Sequence, residues 1–160
     1  TTRHMFGSTP NMFTTAAHAP AALAAMNGFF ASLAKASLGP KVGEQIAIAV
    51  AQANHCGYCL SAHTAIGTMH GVEAAELAAA RRGTSSNPKT AALLALATAI
   101  NSSRGQVSDA VLTIARAAGI TDAEIVEVVA HVALNVFTNT LNNLSHTDID
   151  FPVVALEAAA

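Results

Sequence analysis

Alanine fills 37 of the 160 positions, against six phenylalanines, one tyrosine and no tryptophan. Alanine has the highest intrinsic helix preference, while strands draw on β-branched and aromatic side chains, so the composition steers this chain to an all-α fold. Charged residues supply only 11% of the sequence, less than half the ordinary share of about 25%. A chain so poor in charge is not disordered, and it has too little polar surface to cover itself, so a homo-oligomer is expected. Eight Lys and Arg stand against ten Asp and Glu, with no basic run, which argues against a nucleic-acid partner. The longest apolar run, Ala91 to Ala97, is far short of the roughly 20 residues that span a membrane. Thr1 to Pro10 lacks the apolar core of a secretory signal, so a cytoplasmic, thiol-reducing setting is expected.

The punctuation predicts one domain over residues 20–160, a bundle of about seven helices, preceded by an irregular arm at 1–19. The first helix runs from Pro20 to about Ser37, the second from Pro40 to about Asn54, and the third from there to His70. A short fourth covers Glu73 to Arg82. Asn87 and Pro88 open a fifth that fades into Asn101, and Ser108 caps a sixth that Gly119 closes. Thr121 and Glu124 form a capping box for a last helix reaching about Leu144. That helix is apolar nearly all round, except for Glu127, His131, Asn135, Thr138 and Asn142 at helical spacing. Either this seam faces solvent or another subunit, or His131 looks into a polar site. The apolar tail from Phe151 to Leu156 is expected to dock.

The richest chemistry lies in Cys56-Gly57-Tyr58-Cys59 followed by His63. At about 100° per residue, positions 56, 59 and 63 fall within a sector of roughly 60°, so both sulfurs and the imidazole share one helix face. A thiolate is the nucleophile in peroxide reduction, and its pKa falls at a helix N-terminus or beside an imidazolium. Cys56 has the first feature and Cys59 the second. Two cysteines three apart can also close a disulfide, so one attacks a peroxide oxygen and the other resolves the sulfenic acid. His63 and a carboxylate such as Glu44 suit the proton transfers. Spacing alone leaves open where Glu44 points.

Other readings use the same residues. The pair could be half a zinc site, completed by His63 and one of His55, His70 or His131, but no second Cys pair is present. No metal and no cofactor is therefore expected. Tyr58 could be core packing with its hydroxyl satisfied, and His4 and His18 are expected to be solvated. A Cys-Gly-Tyr-Cys motif also occurs in the thioredoxin group, where it follows a strand. No strand pattern precedes it here.

Over nearly its whole length the chain resembles the AhpD-like alkylhydroperoxidase and carboxymuconolactone decarboxylase superfamily. The likeness is carried by Ser37 to Glu44, by the run Gln52 to Thr64, and by His131 to Asn139 ahead of Asp148-Ile149-Asp150-Phe151-Pro152. It implies an all-helical AhpD-like fold, often trimeric or hexameric, with Glu44, Cys56, Cys59 and His63 matching the peroxidase residues. It further implies that Cys59 attacks the peroxide and Cys56 resolves, with electrons from an outside dithiol of protein or lipoyl type. In several such peroxidases a His that joins the proton relay precedes the second cysteine, where this chain has Tyr58. Tyr58 and His131 are candidates for support behind the four. The expected activity is thus a cofactor-independent thiol peroxidase acting on hydrogen peroxide or alkyl hydroperoxides. The alternatives are a non-redox decarboxylase or isomerase using His63 and Glu44, and a zinc-binding or redox-sensing protein without turnover.

Overall fold

The computed structural model describes residues 9–158, which form eight α-helices and no strand. In chain order these are α1 (Asn11–Ala16), α2 (Pro20–Leu33), α3 (Gly39–Ala53), α4 (Gly57–Met69), α5 (Ala74–Arg81), α6 (Pro88–Ser103), α7 (Asp109–Ala117) and α8 (Asp122–Ser145). Helix α3 is the axis of the fold because its middle is apolar on all sides: Ile46 through Ala51 are all buried, and α4, α5, α6 and α8 pack around the helix. A helical stretch with no polar face has to be enclosed in this way.

The helix signals in the sequence match the structure closely. Asn87 Oδ1 accepts from Thr90 N at 3.0 Å, and Thr121 and Glu124 make the reciprocal capping box that starts α8. Two expectations need correction. The arm is not irregular throughout, because residues 11–16 form α1, which buries Met12 and Ala16 and sets Phe13 against Phe30 with ring centroids 6.1 Å apart. Six residues are too few to hold a helix in isolation, so it is tertiary packing that forms it. Residues 1–8, including His4, lie outside the described residues, and His18 is exposed. The second correction is at the end of α2, which stops at Leu33 rather than Ser37. There Glu127 reaches across from α8 and accepts from Ser37 N, Ser37 Oγ and Leu38 N at 2.8–3.1 Å, fixing a turn ahead of α3.

Beyond α8 the chain has no regular structure, yet it is held to the bundle. Asp150 accepts from Asn11 N, Val154 N donates to Ser61 Oγ, and Glu157 exchanges two hydrogen bonds with Gln52. Arg81 donates to the Ala155 carbonyl. The tail thus forms a strap across the start of α4, with Phe151 edge-on to Tyr58 at 5.8 Å.

Candidate active site

Three residues join α3 to α4, and they set the geometry of everything that follows. Asn54 ends α3, His55 turns the chain through a left-handed conformation (φ 51°), and Cys56 sits at the N-cap of α4. The break thus comes at His55, not at Gly57, which is already the first residue of α4. A cluster of carboxamides locks the turn. Asn54 Nδ2 donates to Asn101 Oδ1 and Asn139 Oδ1, Asn101 Nδ2 donates back to Asn54 Oδ1 at 2.9 Å, and Asn143 Nδ2 donates to the Asn54 carbonyl.

The joint places Cys56 Sγ over the helix end, where it accepts from Cys59 N at 3.4 Å. Both thiols are buried, at 0% and 2% exposure, and reduced. A hydrogen bond from the Cys59 thiol is the main reason that the Cys56 pKa falls to about 7; burial opposes the shift, while the Cys59 backbone N–H and the His63 charge assist it. The same bond and burial push the Cys59 thiol well up, and the carboxamides of Asn142 and Asn139 act against that rise. The two thiols therefore titrate as one unit, with loss of the first proton favoured on the Cys56 side. One turn further along α4, His63 Nδ1 meets Glu44 Oε2 from α3 at 2.7 Å, with both side chains mostly buried at 14% and 17% exposure. The reduced protein is expected to gain one thiolate, by ultraviolet absorbance, with a midpoint near pH 7. Below that pH the thiolate fraction should fall about tenfold per pH unit, because protonation removes the charged form.

These four side chains lie within the stretch that matches a known family: residues 20–86 fit the model of the carboxymuconolactone decarboxylase family. No curated protein matches the chain. Among solved structures, a peroxidase-related protein from Silicibacter sp. TM1040 is 20% identical, covering 92% of this chain and 80% of that one at TM-score 0.83. An alkylhydroperoxidase AhpD core protein from Ralstonia eutropha JMP134 is 25% identical, covering 89% of this chain and 77% of that one at TM-score 0.81. The fold is AhpD-like. A cysteine-to-alanine variant of the debrominase Bmp8, in complex with 2,3,4-tribromopyrrole, is also 25% identical, covering 92% of this chain and 81% of that one at TM-score 0.79.

In this AhpD-like chain the seam of α8 turns inward. His131, Asn135, Thr138 and Asn142 are all buried, and Glu127 is the member that reaches the surface turn at Ser37. His131 lies against Gly43, where a Cβ would stand 3.0 Å from its Cε1, so the glycine beside Glu44 makes room for the imidazole. Burial lowers the His131 pKa, opposed by the charges of Glu127 and Glu44, and its Nε2 has no hydrogen-bond partner among the described residues. Tyr58 is placed otherwise. Its hydroxyl accepts from Met12 N at 3.2 Å and lies beside Asp150, so it ties α4 to α1 and the strap; burial first, then Asp150, raises its pKa. Two residues that sequence reasoning did not assign to the site belong there. Asn142 Nδ2 donates to Cys59 Sγ at 3.2 Å, and Asn139, whose Oδ1 accepts from Asn54, acts with it against the rise of the Cys59 pKa. The one signal for Asn142 was its place in a polar stripe with His131.

Among the described residues no three His, Cys, Asp or Glu side chains converge as a metal site, and His55 and His70 are exposed. A cavity of about 340 Å³ is walled by Gly57, Tyr58, Asn142, Asn143, His146, Thr147 and Ile149, and Asn142 links it to Cys59. A larger groove of about 700 Å³ between α6 and α8 reaches the site only as far as Asn139.

Proposed function

We propose that this AhpD-like protein is a thiol peroxidase that reduces hydrogen peroxide or alkyl hydroperoxides through a Cys56–Cys59 dithiol/disulfide cycle. The observation that carries the reading is the geometry: two buried thiols at the start of α4, with His63 one turn further along the same helix and held to Glu44 at 2.7 Å. Cys59, joined to the cavity wall through Asn142, passes its proton to Cys56 and attacks the peroxide. The O–O bond breaks, Cys59 becomes a sulfenic acid, and the leaving oxygen takes a proton from His63, which Glu44 orients. Cys56 then attacks the Cys59 sulfur, water leaves, and an outside dithiol returns the two electrons. One equivalent of peroxide should lower the intact mass of the reduced protein by two hydrogens. An unchanged mass would sink the cycle.

The likeness to the debrominase favours a second reading, in which the dithiol reduces a carbon–halogen bond and releases halide. Bromide release from a bromopyrrole, with no consumption of hydroperoxide, separates this from the first. A non-redox lyase or isomerase would instead keep its activity in Cys→Ser variants.

We further propose that copies of the chain associate through the outer face of α8. Val126, Val129, Val136, Phe137 and Leu144 are exposed there at helical spacing, and such apolar ridges are buried by assembly. Sedimentation should show an oligomer, and Val136→Glu with Phe137→Glu should shift it to monomer.

A further inference from the structure

Two polar atoms of residues that wall the cavity beside Cys59 are buried with no hydrogen-bond partner among the described residues: Asn142 Oδ1 and Thr147 Oγ1. A buried acceptor left without a donor is costly, so such atoms mark places where a ligand completes the bonding. Asn142 is 3% exposed, and its Nδ2 is already committed to Cys59 Sγ at 3.2 Å. The Cys59 thiol spends its one hydrogen on Cys56, so its sulfur can only accept from Asn142; the amide nitrogen therefore belongs on the sulfur and the oxygen is left to take a proton donor.

We propose that Asn142 is a catalytic residue of this site, holding the Cys59 sulfur with Nδ2 and accepting the O–H of a hydroperoxide with Oδ1. The inference rests on the peroxidase reading. One carboxamide then fixes both reacting partners, nucleophilic sulfur and peroxide, at adjacent positions. The step is Cys59–S⁻ plus ROOH plus a proton giving Cys59–SOH plus ROH: an S–O bond forms, the O–O bond breaks, and sulfur loses the two electrons that the peroxide gains.

The test compares the unaltered protein with Asn142→Ala and Asn142→Asp. The first readout is kcat/KM for cumene hydroperoxide. The second is the pH midpoint of Cys59 thiolate absorbance, measured with Cys56→Ser in all three backgrounds and without peroxide. Asn142→Ala is expected to lower kcat/KM about 10- to 100-fold and to move the midpoint up by about one to two pH units, the range of a hydrogen bond to a charged group. Asn142→Asp, which puts a carboxylate on the sulfur, should move it further. Unchanged kcat/KM and an unchanged midpoint overturn the inference while the peroxidase reading stands. A moved midpoint in a protein that consumes no hydroperoxide overturns the peroxidase reading but upholds the contact to sulfur. If the variants do not fold, the Asn142 side-chain amide resonances of the unaltered protein decide it: they should shift when the thiol pair is oxidised, and fixed resonances refute the contact.

Discussion

Replacing Cys59 by Ser is expected to reduce peroxide consumption to the uncatalysed rate, because a serine hydroxyl at neutral pH supplies no comparable nucleophile. Replacing Cys56 by Ser should act differently. Cys59 can still attack once, but nothing resolves the product, so a sulfenic acid accumulates and is trapped by dimedone with one equivalent bound. The attack itself should also slow, since a thiolate on Cys56 is the base closest to the Cys59 proton. A dimedone adduct on Cys56 in the Cys59→Ser variant, with none in the other, would assign attack to Cys56. That is the thiol whose pKa is lowered to about 7, so the pair of variants decides between acidity and access.

The second large effect belongs to the proton carriers. Glu44→Gln and His63→Ala are each expected to lower kcat/KM by about 10² to 10⁴, the usual contribution of a positioned acid or base. The two side chains meet at 2.7 Å and form one unit, so the double variant should lose little more than the worse single one. Steady-state assays of the four proteins check this. Near-additive losses would mean that the two residues act separately. Disulfide formation on mixing with peroxide should slow with turnover, because both residues act before the sulfenic acid is resolved.

The thiol pair and His63 were legible because they lie within eight consecutive residues, where helical geometry alone puts them on one face. Glu44 was legible as a residue type and not as a partner. Its carboxylate meets His63 only because His55 in a left-handed turn sets α4 against α3, and nothing in a histidine marks it for that conformation. The helix boundaries followed Pro, Gly and capping residues, which act locally and so can be read locally. Helix α1 could not be read that way, since six residues form a helix only against α2 and α8. The carboxamide cluster was hidden for a related reason. Asn54 and Asn101 are distant in sequence from each other and from Asn139 and Asn143, and their roles exist only where three helices converge on the same turn.

The strap gives the molecule a dynamic property that its helices do not have. Asn11 at the start of α1 and Asp150 in the strap share a hydrogen bond, and Tyr58 beneath them touches both segments. The first and last parts of the described chain are thereby latched to one another over the thiol helix. Amide hydrogen exchange at Met12 and Val154 should then follow a single opening rate, slower than fraying of either end alone and independent of the exchange of α3, as for a cooperative unit that detaches whole.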